Sequence, residues 1–163
     1  MATQTSIQNG IARTEETART TFGDLSHGTP SAPLLGLPLA RIVPQDVHSM
    51  ADYLNGVLVG GAALLTTNTT ARVVSAVLGA SVVGVSAITD YRLSVAKIVP
   101  IEAHEAIDHV WGLSCIAAPF LFGYWKKSPQ VAISHIVTGA LTVAASLITD
   151  YRAERGVGRA RRA

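Results

Sequence analysis

Two short stretches carry the residue types and spacing that could do chemistry. Asp46, His48 and Asp52 in one, and Glu102, His104 and Asp108 in the other, share the order acid-x-His-x-x-x-Asp. On a helix, a histidine and an aspartate four residues apart lie on one face. That pair can offer two metal ligands, or the carboxylate can fix the tautomer of the imidazole. The chain also carries the tetrapeptide Thr-Asp-Tyr-Arg twice, which adds Asp90, Arg92, Asp150 and Arg152, and His109 is a further imidazole nearby. Aspartates 90 and 150 fall at helix C-termini, where the dipole disfavours them, so each needs a partner such as Arg92, Arg152 or a protonated histidine.

Three readings compete for this cluster. The preferred one is an ion-pair network that fixes helix register and depth. The alternatives are a metal or cofactor site on His48, Asp52, His104 and Asp108, and the polar mouth of a small-solute transporter or channel. No nucleophile–base arrangement and no dense ligand motif such as H-E-x-x-H is present, so no catalytic residue is assigned and no cofactor is expected. No charge falls in the middle of an apolar segment, where ion pathways usually mark themselves.

The elements that must position these residues are four apolar segments, Tyr53 to Thr67, Ala71 to Thr89, Ile107 to Tyr124 and Val131 to Thr149. Pro44, Pro100 and Ser128-Pro129 suit helix starts, with Asp46 and Glu102 in first turns where an acid is favoured. Helices over about 44–67, 70–92, 100–124 and 129–152 would each reach roughly 35 Å at 1.5 Å per residue, enough to span a bilayer. Charged residues are only 15% of the chain, well under the usual quarter. A soluble bundle would have too little polar surface to cover four such segments.

The chain repeats itself. Residues 39–56 align without gaps on 95–112, keeping among others Pro44/Pro100, His48/His104, Asp52/Asp108 and Gly56/Gly112. Residues 71–92 align on 131–152 and end in the shared Ile-Thr-Asp-Tyr-Arg. The offset grows from 56 to 60, so the second half carries extra residues between Gly123 and Gln130. The fold class is therefore all-α, a polytopic membrane four-helix bundle of two tandem transmembrane hairpins. Its parts are a polar, disordered segment 1–38 without a signal peptide, repeat 1 over 39–94, repeat 2 over 95–152, and a basic tail 153–163. Two repeats of two spans share one orientation.

Basic residues set that orientation. With the N-terminus inside, ten of the 13 lie inside, and only Arg72, Lys126 and Lys127 lie outside. Both termini are then on the cytoplasmic side of the membrane. Tyr53, Tyr91 and Tyr151 at the inner boundary, and Tyr124 and Trp125 at the outer one, fit interfacial anchors. The expected partners are the bilayer, anionic lipid for the tail, and a homo-oligomer or larger membrane complex. The charge pattern argues against nucleic acid.

Small residues would pack the helices. Gly56 and Gly60, Ser75 and Gly79, Ala80 and Gly84, and Ala140 and Ala144 have the four-residue spacing that lets backbones approach in lipid; Gly112 and Gly139 join them. Pro119 should kink the third helix in mid-span. Cys115 is a small core residue, and His135 should bond a neighbour rather than a ligand.

Trp111 and Gly112, the proline of Ala118-Pro119-Phe120, and then His135 and Gly139 carry a resemblance over about 44–152 to the SPW-repeat family of small bacterial membrane proteins. Ala118-Pro119-Phe120 stands where the family has Ser-Pro-Trp, and the first repeat has Ala62-Ala63-Leu64 there. The resemblance implies a two-helix membrane repeat present twice and no established activity. A structural or accessory membrane component without catalytic activity is the functional expectation.

Overall fold

A computed structural model describes residues 43–151. The expected segment 1–38, the first residues of repeat 1, Arg152 and the basic tail lie outside the described residues. The elements are β1 (Val43–Pro44), α1 (Gln45–Gly61) continued by a 3-10 turn (Ala62–Leu65), α2 (Thr69–Ile88), α3 (Ile101–Leu121), α4 (Pro129–Ile148) and β2 (Thr149–Asp150).

Local chemistry sets the helix ends. Pro44 and Pro100 are extended (ψ 146° and 145°) and immediately precede α1 and α3, one position earlier than the expected first-turn site. Asp46 and Glu102 do occupy first turns, where they complement the dipole. Asn68 caps α2 by accepting from the Ala71 N–H at 2.9 Å, and Pro129 sits in the opening turn of α4. Helices α2 and α4 stop at Ile88 and Ile148, four residues short of the expected ends, because Thr89 and Thr149 turn extended. Pro119 lies in the last turn of α3 rather than in mid-span. Its carbonyl accepts the Tyr124 and Trp125 N–H groups at 3.0 and 3.1 Å, so it helps end the helix where a kink was expected.

Helix α1 packs along α2 and α3 along α4, and glycine makes both contacts close. A Cβ on Gly79 would lie 2.6 Å from the Gly60 Cα, and one on Gly112 would lie 2.8 Å from the Gly139 carbonyl oxygen. Gly56 faces Val82 and Val83, and Gly139 faces Gly112 and Cys115. A Cβ on Gly84 would meet no other element within 4 Å, and Ala80 is exposed. The packing expected there is made one turn earlier, at Gly79.

The distribution of side chains is the reverse of a soluble core. The buried apolar residues are few and mostly small, such as Val59, Ala62, Ala71, Val82, Cys115 and Ala132. Val47, Met50, Leu54 and Val57 form an exposed stripe along α1, and Val73, Val77, Leu113, Ile133, Val137 and Leu141 are exposed on the other helices. Helices α2 and α4 are long and apolar enough to cross a membrane. The buried polar residues of α1 and α3 (Gln45, His48, Ser49 and Asp52; His104 and Asp108) lie in the first half of each helix.

Short parallel pairings cross between the repeats. Val43 pairs with Thr149 and Pro44 with Asp150, while Val99 pairs with Thr89. The entry of each repeat thus lies beside the exit of the other.

Candidate functional site: a buried imidazole–carboxylate box

Where entries meet exits, His48 and Asp52 of α1 face His104 and Asp108 of α3. All four are buried, none more than 3% exposed. His48 Nε2 lies 2.9 Å from Asp108 Oδ2 and 3.4 Å from Asp52 Oδ1. His104 Nε2 lies 3.0 Å from Asp52 Oδ2 and 3.4 Å from Asp108 Oδ1. The shorter contact of each histidine is to the aspartate of the other repeat. One ligand atom from each residue lies within 4.8 Å of all the others.

The outer nitrogens are held by threonines of the opposite repeat. Thr149 Oγ1 donates to the Ala145 carbonyl at 2.7 Å, so it accepts the proton on His48 Nδ1 at 2.8 Å. Thr89 Oγ1 donates to the Val85 carbonyl at 2.7 Å and accepts from His104 Nδ1 at 2.9 Å. A hydroxyl has one proton, and the carbonyl takes it. Both imidazoles therefore carry Nδ1–H and turn Nε2 toward the carboxylates.

Two tyrosines close the box. Tyr151 Oη donates to Asp108 Oδ2 at 2.6 Å, and it lies 3.0 Å from His48 Nε2 and 2.9 Å from Ser146 Oγ. Tyr91 stands edge-on to His104, with ring centroids 5.7 Å apart. Among the described residues, Tyr91 Oη, Ser86 Oγ and Asp52 Oδ1 have no hydrogen-bond partner. Tyr91 and Tyr151 are thus core residues of the site, at 1% and 3% exposure, and not the interfacial anchors expected of them. Tyr124 is also buried. Trp125, half exposed, remains at the surface, as does part of Tyr53.

The rest of the expected inner cluster lies outside the box. Arg92 approaches only Asp46, at 3.8 Å and well exposed, and Asp90 takes Lys97 at 2.9 Å. Among the described residues, Asp52 is paired with the two histidines, and Asp108 with the two histidines and Tyr151. Glu102 and Asp150 are half-buried beyond the four central residues. His109 Nδ1 donates to the Glu105 carbonyl at 2.7 Å, within its own helix. Sequence reasoning missed Thr89, Thr149, Tyr91 and Tyr151. Their signal is the shared Ile-Thr-Asp-Tyr-Arg, which keeps two hydroxyls as well as its charges in both copies.

A second polar contact crosses at the opposite end. His135 Nε2 meets Ser75 Oγ at 3.0 Å and its Nδ1 meets Tyr124 Oη at 2.7 Å, the neighbour bonding expected for this histidine. Ser75 and His135 are equivalent positions of the two repeats. Between the ends, Asn55 Nδ2 donates to Thr142 Oγ1 at 3.0 Å.

No curated protein and no solved structure that was compared matches this chain. The family model described as SPW repeat domain matches residues 46–149, from just before the first histidine to the second threonine of the box. Together with the two apolar helices, that match points to a membrane protein. Spanning both repeats and most of the chain, it shows that the chain belongs to the SPW-repeat family.

Proposed function

We propose that the chain is a multi-pass membrane protein in which two transmembrane hairpins form one bundle, and that it serves as a non-catalytic structural or accessory component. The observation that carries this reading is the inverted side-chain distribution. Large apolar residues are exposed on all four helices, whereas the buried interior holds His48, Asp52, Ser75, His104, Asp108, His135 and Thr142. In water, a continuous apolar exterior of that kind would drive association. In lipid it is the favourable face, and polar groups belong inside with partners.

Helices α1 and α3 join α2 and α4 as spans on this reading, because Asp52 and Asp108 are buried and the remaining acids, Asp46, Glu102 and Glu105, lie in the first two turns at the helix entry. Helix α1 with its 3-10 turn reaches about 33 Å, and α3 about 32 Å, at the usual rises per residue. The box then works as a clamp. It lies near one membrane face and joins the first hairpin to the second through contacts no single hairpin can make.

The excess of basic residues sets both termini and the loop at 93–99 on the cytoplasmic side. Single cysteines at Thr69, Lys126 and Ser94, introduced into a Cys115→Ser background, test this with an impermeant thiol reagent on whole cells. Labelling is expected at 69 and 126. Labelling at 94 alone would overturn the orientation, and labelling at none of the three in cells but all three in lysates would overturn the spans.

A further inference from the structure

The box has a charge problem that its own residues do not solve. Both Nδ1 atoms carry protons, held by Thr149 and Thr89. In the neutral imidazoles, each Nε2 presents a lone pair to a carboxylate oxygen at 2.9 or 3.0 Å. Lone pair against lone pair at that distance repels, and two buried carboxylates without countercharge are costly. The box must therefore take up either two protons, shared between the Nε2 atoms and the carboxylates, or one divalent cation.

Several features favour the cation. A tetrahedral ion with nitrogen and oxygen ligands at about 2.0–2.2 Å holds neighbouring ligand atoms roughly 3.3–3.6 Å apart. Each Nε2 lies 2.9–3.4 Å from an oxygen of both aspartates, and one ligand atom from each of the four residues lies within 4.8 Å of the others, so side-chain adjustments bring the set onto a central ion. Asp52 Oδ1, buried at 1% residue exposure and facing into the box, has no hydrogen-bond partner. Protonated histidines give that oxygen only the 3.4 Å approach of His48 Nε2, without a hydrogen bond; a metal would ligate it. The surroundings are those of a ligand set already oriented, since metal-binding histidines usually donate their far N–H to an oxygen, as both do here to threonine. Tyr151 likewise holds the Asp108 carboxylate.

We propose that His48, Asp52, His104 and Asp108 form a site for one divalent transition-metal ion, for which zinc is the best match, that joins the two repeats. Two imidazoles with two carboxylates suit a borderline ion. Calcium and magnesium prefer oxygen sets of higher coordination, and the soft copper(I) ion prefers sulfur. Four protein ligands from a buried set fill a tetrahedral ion, so the site is structural in type. This inference rests on the clamp reading of the same residues and names what the clamp holds.

The test uses the full chain, purified in detergent without a histidine tag from zinc-supplemented cells. Elemental analysis is expected to find about one zinc per chain. After chelator stripping, added zinc should raise the melting temperature while magnesium does not, and cobalt in zinc's place should give the visible absorption of a tetrahedral site. His48→Ala/His104→Ala should abolish binding. Asp52→Asn, which keeps the shape of the side chain, should weaken zinc binding at least roughly tenfold with helix content retained by circular dichroism. A folded parent that holds no zinc and gains none on titration overturns the metal site. If Asp52→Asn still melts lower in that zinc-free protein, the clamp stands without its ion. If it melts like the parent, the clamp falls too.

Discussion

Tyr151 and Tyr91 occupy equivalent places in the two repeats, yet only one of them bonds the box. Tyr151 donates to Asp108 and lies near Ser146. Tyr91 is just as buried, but its hydroxyl and that of Ser86 are left without hydrogen bonds among the described residues. The four central residues are nearly symmetric and the layer behind them is not. Duplication has kept what the two halves exchange with each other, the histidine, aspartate and threonine, and has left the tyrosine anchored on one side only. Asp108 is the held carboxylate and Asp52 the freer one.

That contrast can be broken by paired substitutions, read as unfolding free energies of zinc-stripped protein in detergent. Asp108→Asn removes a charge that His48 and Tyr151 both address. It should destabilise by about 3–5 kcal/mol, the usual range when one partner of a buried pair is lost. Asp52→Asn should cost clearly less, because only His104 makes a short contact to it, and equal losses would mean that the two carboxylates are equivalent in solution.

Tyr151→Phe removes one hydrogen bond to a charged group and should cost about 1.5–3 kcal/mol. A loss below about half a kcal/mol would show that the 2.6 Å contact adds nothing. The smallest effect is expected at the matching position. Tyr91→Phe deletes a buried hydroxyl that has no partner, so stability should stay within about 0.5 kcal/mol of the parent or rise. A marked loss there would place Tyr91 on a hydrogen bond the structure lacks.

Much of this was legible in the sequence, and the reasons differ by residue. His48, Asp52, His104 and Asp108 announced themselves because a four-residue helical spacing was kept in two copies, and charge is rare beside apolar segments. The close glycines were partly legible: small-residue spacing identified Gly56, Gly60 and Gly79 but also Gly84, since spacing names a face and not the side on which a neighbour lies. The exchange between repeats was not legible. A histidine and aspartate at i and i+4 read as partners, yet the shorter contacts run to the aspartate of the other repeat. Nor was burial of Tyr91 and Tyr151, because an aromatic at a span boundary is equally at home in headgroups and in a polar core. The arginines after them are the obvious counterions by charge, although Arg92, itself exposed, reaches only the half-buried Asp46.

The crossed wiring of the box has a consequence for the smallest unit that can assemble. Each histidine takes its threonine and its nearer carboxylate from the other repeat, and each entry strand lies against the other exit. A chain with one repeat would own half of every pair and complete none. Two such chains, set about a twofold axis, would complete all of them. The arrangement is that of a homodimer whose subunits have been written in tandem on one chain, and separately expressed halves of this protein have the contacts needed to find each other again.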